Sequence, residues 1–184
     1  MNTIFKLFVG FVTAGLMLIF VAFAVLPQVV GWGVSTAVAA TRGKAERNLA
    51  EIVAVSIPQG FIADYALKAS GYTAAGFRRA ESEHLVFIQG PADLQIDDAN
   101  LNEMTGNQYS RNGRNMVPVS QDPLTVRGMP AKMVMSEGLN SSKQPYRQVM
   151  VLFQGVNGPV MLNYSGPIAT WNQLELDEIL ASIR

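Results

Sequence analysis

The hydrophobic pattern divides the chain into two unequal parts. Residues 7–41 carry no charged side chain, and Leu7 to Leu26 is apolar apart from Gly10, Thr13 and Gly15. Twenty helical residues rising about 1.5 Å each span about 30 Å, the hydrocarbon thickness of a bilayer. No polar stripe marks a solvent face, as a surface helix would require. Pro27 ends or kinks the run. The pattern predicts a transmembrane helix over Leu7–Leu26, in an anchor covering residues 1–30. A cleavable signal has an apolar core of about 7–15 residues and a small-residue site close behind it. Here the core is longer and Ala37-Val38-Ala39 lies well past Pro27, so the reading is a retained anchor.

Residues 31–50 read as a juxtamembrane segment and linker, with Thr41–Leu49 a short helix or linker. Trp32 suits a membrane–water interface. Gly10 and Ala14 form a small-xxx-small pair that lets another helix approach, although lipid-facing small residues are the commoner case. From residue 51 the pattern changes to short β-branched runs between turn residues, predicting one α+β globular domain over 51–184. Glu51–Ile57 reads as a strand stopped by Pro58 and Gly60. Gly71–Ala80 and His84–Gln89 read as a hairpin. A helix is predicted over Asp97–Gln108 and a loop over Ser110–Asp122, where prolines and Asn112-Gly113 break the pattern.

The last third alternates more clearly. Leu124–Ser136 reads as two strand segments with a kink at Gly128 and Pro130. Tyr146–Gln154 is apolar on both faces and predicts cover on each. Asn157-Gly158 marks a turn into Pro159–Ser165. Thr170 as N-cap with Gln173 at N3 predicts a capping box and a terminal helix. Its expected buried face is Trp171, Leu174, Ile179, Leu180 and Ile183. The sum is α+β: an N-terminal transmembrane helix, then a mostly antiparallel sheet packed with helices.

Composition narrows the function. Fourteen basic and fourteen acidic residues balance, and only Lys6 of the basic set precedes residue 42. No basic footprint points to nucleic acid. The chain has no cysteine, which excludes disulfides and thiolate chemistry. Lys6 and the terminal amine, the charges nearer the apolar run, favour an N-terminus inside, while the count of Arg42, Lys44 and Arg47 beyond it favours the opposite. The reading taken is N-in, with the globular part outside the cytoplasm of a bacterial inner membrane.

Three short motifs suggest a family. Ile57-Pro-Gln-Gly-Phe61 follows a short strand, Val126-Arg-Gly-Met-Pro-Ala131 enters another, and the chain ends in Leu176-Asp-Glu-Ile-Leu-Ala-Ser-Ile183. Over residues 51–184 this order resembles the Mog1/PsbP-like superfamily, in its membrane-anchored bacterial type. The resemblance implies an α/β/α sandwich with no shared catalytic site, and a role as an accessory or binding subunit of a larger assembly. The lipobox cysteine of the lipoprotein members is absent here.

No catalytic constellation is visible. His84 is the only histidine, with no local nucleophile or orienting partner. Asp93, Asp97, Asp98 and Glu103 do not match a calcium loop and suit a helix N-terminus better. Ser165 lacks a nucleophile elbow. Arg78 and Arg79 are adjacent, so in a strand they point to opposite faces. Met129, Met133, Met135, Met150 and Met161 read as core, with a methionine-rich docking surface as the lesser alternative. The expectation is a non-enzymatic, single-pass accessory protein that binds a membrane-protein partner, with no cofactor, metal or nucleic acid. The alternatives are a tethered small-ligand or lipid-binding domain and, behind it, a hydrolase.

Overall fold

Short turns and period-two burial build one antiparallel sheet. The computed structural model describes residues 38–69, 71–80, 82–94, 116–140 and 142–184. Helix α1 (Val38–Ile52) is followed by strands β1 (Ile62–Ala69), β2 (Tyr72–Arg79) and β3 (Glu83–Gln89). Then come β4 (Val117–Val126), β5 (Met129–Leu139), β6 (Pro145–Gln154) and β7 (Pro159–Pro167). A 3-10 turn (Ile168–Thr170) leads into helix α2 (Gln173–Ser182). The strand order is β1-β2-β3-β7-β6-β5-β4. The chain divides into units 1–37 and 38–184, and the described residues belong to the second.

The register sets two faces. Ala75, Phe87, Leu162, Val151 and Met133 form one row across β2, β3, β7, β6 and β5. Phe77, Leu85, Tyr164, Val149 and Met135 form the next. Both rows belong to a single core with Leu49 and Ile52 of α1 and Leu176 and Ile179 of α2. The two helices therefore pack on the same face. Each fully buried side chain of this size contributes about 1.5–3 kcal/mol. The Asn48 amide pins α1 to the sheet, donating to Leu67 O at 3.0 Å and to Ala74 O at 2.9 Å.

The opposite face is also buried. Ile88, Met161, Leu152, Met150 and Val134 are all at most 9% exposed. The Tyr65 ring lies over Gly76, where any Cβ would overlap it. The expectation that Tyr146–Gln154 is covered on both faces is met: its interior residues Val149 to Phe153 are buried.

Several expectations are corrected. The described residues do not form an α/β/α sandwich. They form a seven-stranded antiparallel sheet with both helices on one side. No helix among them is long and apolar enough to cross a membrane. The runs Leu7–Leu26 and Asp97–Gln108 lie outside the described residues. Glu51–Ile57 is not a strand. Ala45, Leu49 and Ile52 are the buried stripe of α1, and Val53, buried just past its end, still donates its N–H to Leu49 O at 2.8 Å. A short β-branched run is ambiguous until the preceding turn is counted with it.

Strand β1 escaped the pattern because a register shift at Ala63/Tyr65 breaks its alternation. The loop expected over Ser110–Asp122 holds the first part of β4, hidden because Pro118 and Pro123 interrupt it and most of it faces solvent, while Leu124–Val126 at its end is strand as expected. Gly128 is part of a turn rather than a kink. Arg127 and Gly128 have φ of 54° and 73°, as a two-residue hairpin turn demands at both positions. The N-cap of α2 is Asn172, which accepts from Glu175 N; Thr170 sits in the 3-10 turn. Leu174 is 74% exposed, and Leu176 takes its place in the core. Leu176, Ile179 and Ile183 are spaced i, i+3, i+7, and that stripe faces the sheet.

Candidate interaction site

The polar chemistry of the domain gathers on the helix-covered face, at the end of the sheet near the start of α2. Arg79 and Glu83 are cross-strand partners closing the β2–β3 hairpin. Arg79 Nε donates to Glu83 Oε2 at 2.6 Å, and its two terminal nitrogens form a fork to Glu175, each at 2.7 Å. Tyr164 Oη donates to Glu175 Oε2 at 2.8 Å. Thr170 Oγ1 donates to the other Glu83 oxygen at 3.0 Å. Such a bidentate pair is the strong form of this interaction. Glu175 lies in the first turn of α2, where the helix dipole also favours negative charge.

The electrostatics follow. Hydrogen bonds from Arg79 hold the Glu175 carboxyl below the ordinary range, against a smaller desolvation effect. The bond to Glu175 raises Arg79. Burial, then the bond to Glu175, raises the Tyr164 phenol. Every strong group here is spent on another member of the set. The arrangement ties α2 to the β2–β3 hairpin and offers no free acid or base.

An aromatic run continues from it. The Arg79 guanidinium lies 4.6 Å from the Phe61 ring centre. Phe61 meets Tyr164 edge-on at 6.2 Å, and Tyr164 meets Trp171 at 4.8 Å. Arg147 then lies 5.3 Å from the Trp171 ring and is ion-paired with its cross-strand partner Glu137. Val117 of β4 is the next residue in that row.

Beyond Glu137 the cover ends. Among the described residues seven large apolar side chains are exposed, and four of them, Val117, Val119, Met129 and Leu139, belong to the β4–β5 hairpin. Leu124, Met133 and Met135 are half-buried beside them. A second feature is an open groove of about 570 Å³ between α1 and the connection into β1. Leu49, Val53, Val55, Ile57 and Phe61 line it, with Glu46 at the rim.

The expected site residues fare unevenly. Gly10, Ala14 and Trp32 lie outside the described residues, as do Asp97, Asp98 and Glu103. Asp93 is exposed. Among the described residues no group of three His, Asp or Glu could hold a metal ion. His84 is the cross-strand partner of Ser165. Ser165 is only 7% exposed, and its hydroxyl accepts a hydrogen bond from Tyr146 Oη at 3.2 Å. Arg78 and Arg79 do point apart: Arg78 pairs with Asp64 at 3.1 Å while Arg79 joins the Glu175 fork. Gln89 Oε1 and Asn163 Oδ1 are buried without a hydrogen-bond partner among the described residues. They sit on opposite faces and do not converge. Met150 and Met161 are core residues, as expected, while Met129 is 36% exposed. The sequence missed the Arg79–Glu175 fork. Its one signal was Glu175 at the start of a helix, which names no partner.

Comparison with known proteins adds little. No protein-family model matches the chain, and no curated protein matches it. Among solved structures, the chain is similar to the apo structure of immunity protein TplEi of T6SS from Pseudomonas aeruginosa, with 20% identity and a TM-score of 0.45, covering 75% of this chain and 55% of that one. It is also similar to TplEi complexed with "L" peptide, at 18% identity and a TM-score of 0.43, covering 75% of this chain and 60% of that one. The chain thus spans little more than half the length of the proteins it matches. The Mog1/PsbP-like family expected from the three motifs does not stand: the described residues form one antiparallel sheet with both helices on one face rather than an α/β/α sandwich, and no family model matches. The motifs are short, and they lie on a helix-to-strand connection, a hairpin turn and a helix that many folds contain.

Proposed function

We propose that this domain is a non-enzymatic binding module whose ligand is another protein. The observation that carries the reading is the concentration of exposed apolar side chains on the β4–β5 hairpin. Apolar side chains scattered singly need no explanation, whereas a group of them on one element marks an interaction surface. The satisfied clasp around Glu175 and the buried Ser165 support a binding role over catalysis. The finer reading, a subunit of a bacterial membrane complex, is supported by the apolar sequence of residues 7–26 alone. Extraction of the full chain from its native cells in mild detergent, followed by native mass measurement, tests the proposal. A stoichiometric partner protein is the expected result; a lone monomer overturns it.

The groove beside α1 supports a second reading, an apolar small ligand. Ligand pockets of this size bury most of their occupant, and this groove is open along its length. Titration with a fluorescent fatty-acid analogue, with Phe61→Asp as control, decides it. Saturable binding lost in the variant supports the second reading, and no binding ends it.

A further inference from the structure

We propose that the helix-side face of the β4–β5 hairpin, formed by Val117, Asp122, Leu124, Met133 and Met135, docks a partner-protein segment carrying an apolar side chain next to a Lys or Arg. This rests on the protein-binding reading above and names its surface and the chemistry of the partner.

The register places these side chains together. Leu124 is opposite Ala131, Asp122 opposite Met133, Ser120 opposite Met135, and Val117 opposite Glu137. Met133 and Met135 pack against the core beneath the helices, so the whole set shares the helix-side face. They remain half-buried, while Val117 is 61% and the bulge residue Val119 53% exposed. The floor is therefore unbranched, polarizable methionine, which adapts to an inserted apolar group.

Charge selects the partner. Glu137 is neutralised by Arg147. Asp122 is exposed and makes no ion pair among the described residues. The strip thus offers one uncompensated carboxylate beside an apolar floor, and its complement is a basic residue beside an apolar one.

The edge argues against two other occupants. The Val126–Met129 pair closes the two-residue turn. Counting back from it, the alternation of an antiparallel ladder turns position 123 toward the open edge, and Pro123 has no N–H to offer there. Pro118 and the register shift beside it break the edge again. An added strand is disfavoured, and contact falls to the side chains of the face. A second copy docked symmetrically on this strip would bring Asp122 toward its own image, a like-charge contact.

Site-specific photo-crosslinking in the native cells tests this. A benzoylphenylalanine replaces Val119 or Leu124 in the full chain, with Phe61, Ile62 and Val156 as comparison positions. The expected result is one adduct of discrete mass from positions 119 and 124 and none from 62 or 156. Asp122→Lys lowers its yield about ten-fold and Asp122→Ala by a smaller factor, as loss of a complementary charge predicts. Both variants keep the parent circular dichroism and melting temperature. An adduct of twice the chain's mass means self-association and overturns the proposal. Adducts from position 61, 62 or 156 but not from 119 or 124 overturn this surface and leave the binding reading standing. No adduct at any position overturns both.

Discussion

The β2–β3 and β4–β5 hairpins belong to one sheet and share one hydrogen-bonding pattern, yet they meet opposite environments. In β2–β3, Ala75, Phe77, Leu85 and Phe87 are at most 4% exposed, and the turn end is held by Arg79 and Glu83 against α2. In β4–β5, Val117, Val119 and Leu139 face solvent, and Asp122 is exposed. The ladder does not decide which residues form the core. The covering layer does, because apolar burial against a second element supplies most of the stabilisation. Where the helices stop, the same strand geometry yields a surface.

The largest test of this contrast removes a fully buried side chain from the covered end. Leu176→Ala is expected to cost about 3 kcal/mol in urea unfolding, through lost transfer energy and a residual cavity. Leu124→Ala, on the half-covered hairpin, is expected to cost below about 1 kcal/mol. Equal losses would erase the difference between the two hairpins.

Next in size is the clasp. Glu175→Gln leaves Arg79 with only Glu83 as a charged partner and is expected to cost about 2 kcal/mol. The effect is pH-dependent. The Glu175 carboxyl is held below its ordinary range in the folded state, so the unfolded chain binds that proton more readily. The stabilisation is therefore present above the ordinary glutamate pKa and is lost as pH falls through the folded value. Melting temperatures across pH 2–7 should show a steeper acid fall for the parent than for the variant. Parallel curves would show that the fork adds nothing to folding.

A smaller change sharpens the hairpin side. Arg127 holds φ of 54° in the turn, a region that Asn tolerates better than Arg. Arg127→Asn is expected to stabilise the domain by about 0.5 kcal/mol. A lower melting temperature would mean that the Arg127 side chain makes a contact of its own.

The smallest effect on stability comes from Pro123→Thr, within about 0.5 kcal/mol at this exposed position. Its consequence lies elsewhere. Restoring an N–H on the open edge should produce concentration-dependent association in sedimentation experiments, since unprotected edge strands pair. A monomeric variant would show that other features guard the edge.

These contrasts explain what the sequence could and could not reveal. The β2–β3 hairpin, β6 and β7 were legible because their signals are local: alternating burial, and turn residues such as Asn157-Gly158. Strand β1 was hidden by its register shift, and β4 by two prolines that sit harmlessly on an edge. The end of α1 was misread because Ile52-Val53-Ala54-Val55 has strand composition, while its helical stripe begins seven residues earlier at Ala45. The capping residue of α2 was displaced from Thr170 to Asn172 because both are good caps, and packing chose between them.

By itself the sequence determined five strands (β2, β3, β5, β6 and β7), a terminal helix, the opposite pointing of Arg78 and Arg79, and the absence of cysteine chemistry. Each follows from a period, a turn or a composition that neighbouring residues settle among themselves. Only the tertiary structure decided that both described helices share one face, that Ser165 is buried and bonded to Tyr146, and that most of β4 is exposed. It alone joined Arg79 to Glu175 across 96 residues of chain. Such pairings depend on which distant surfaces meet, and no local pattern encodes that meeting.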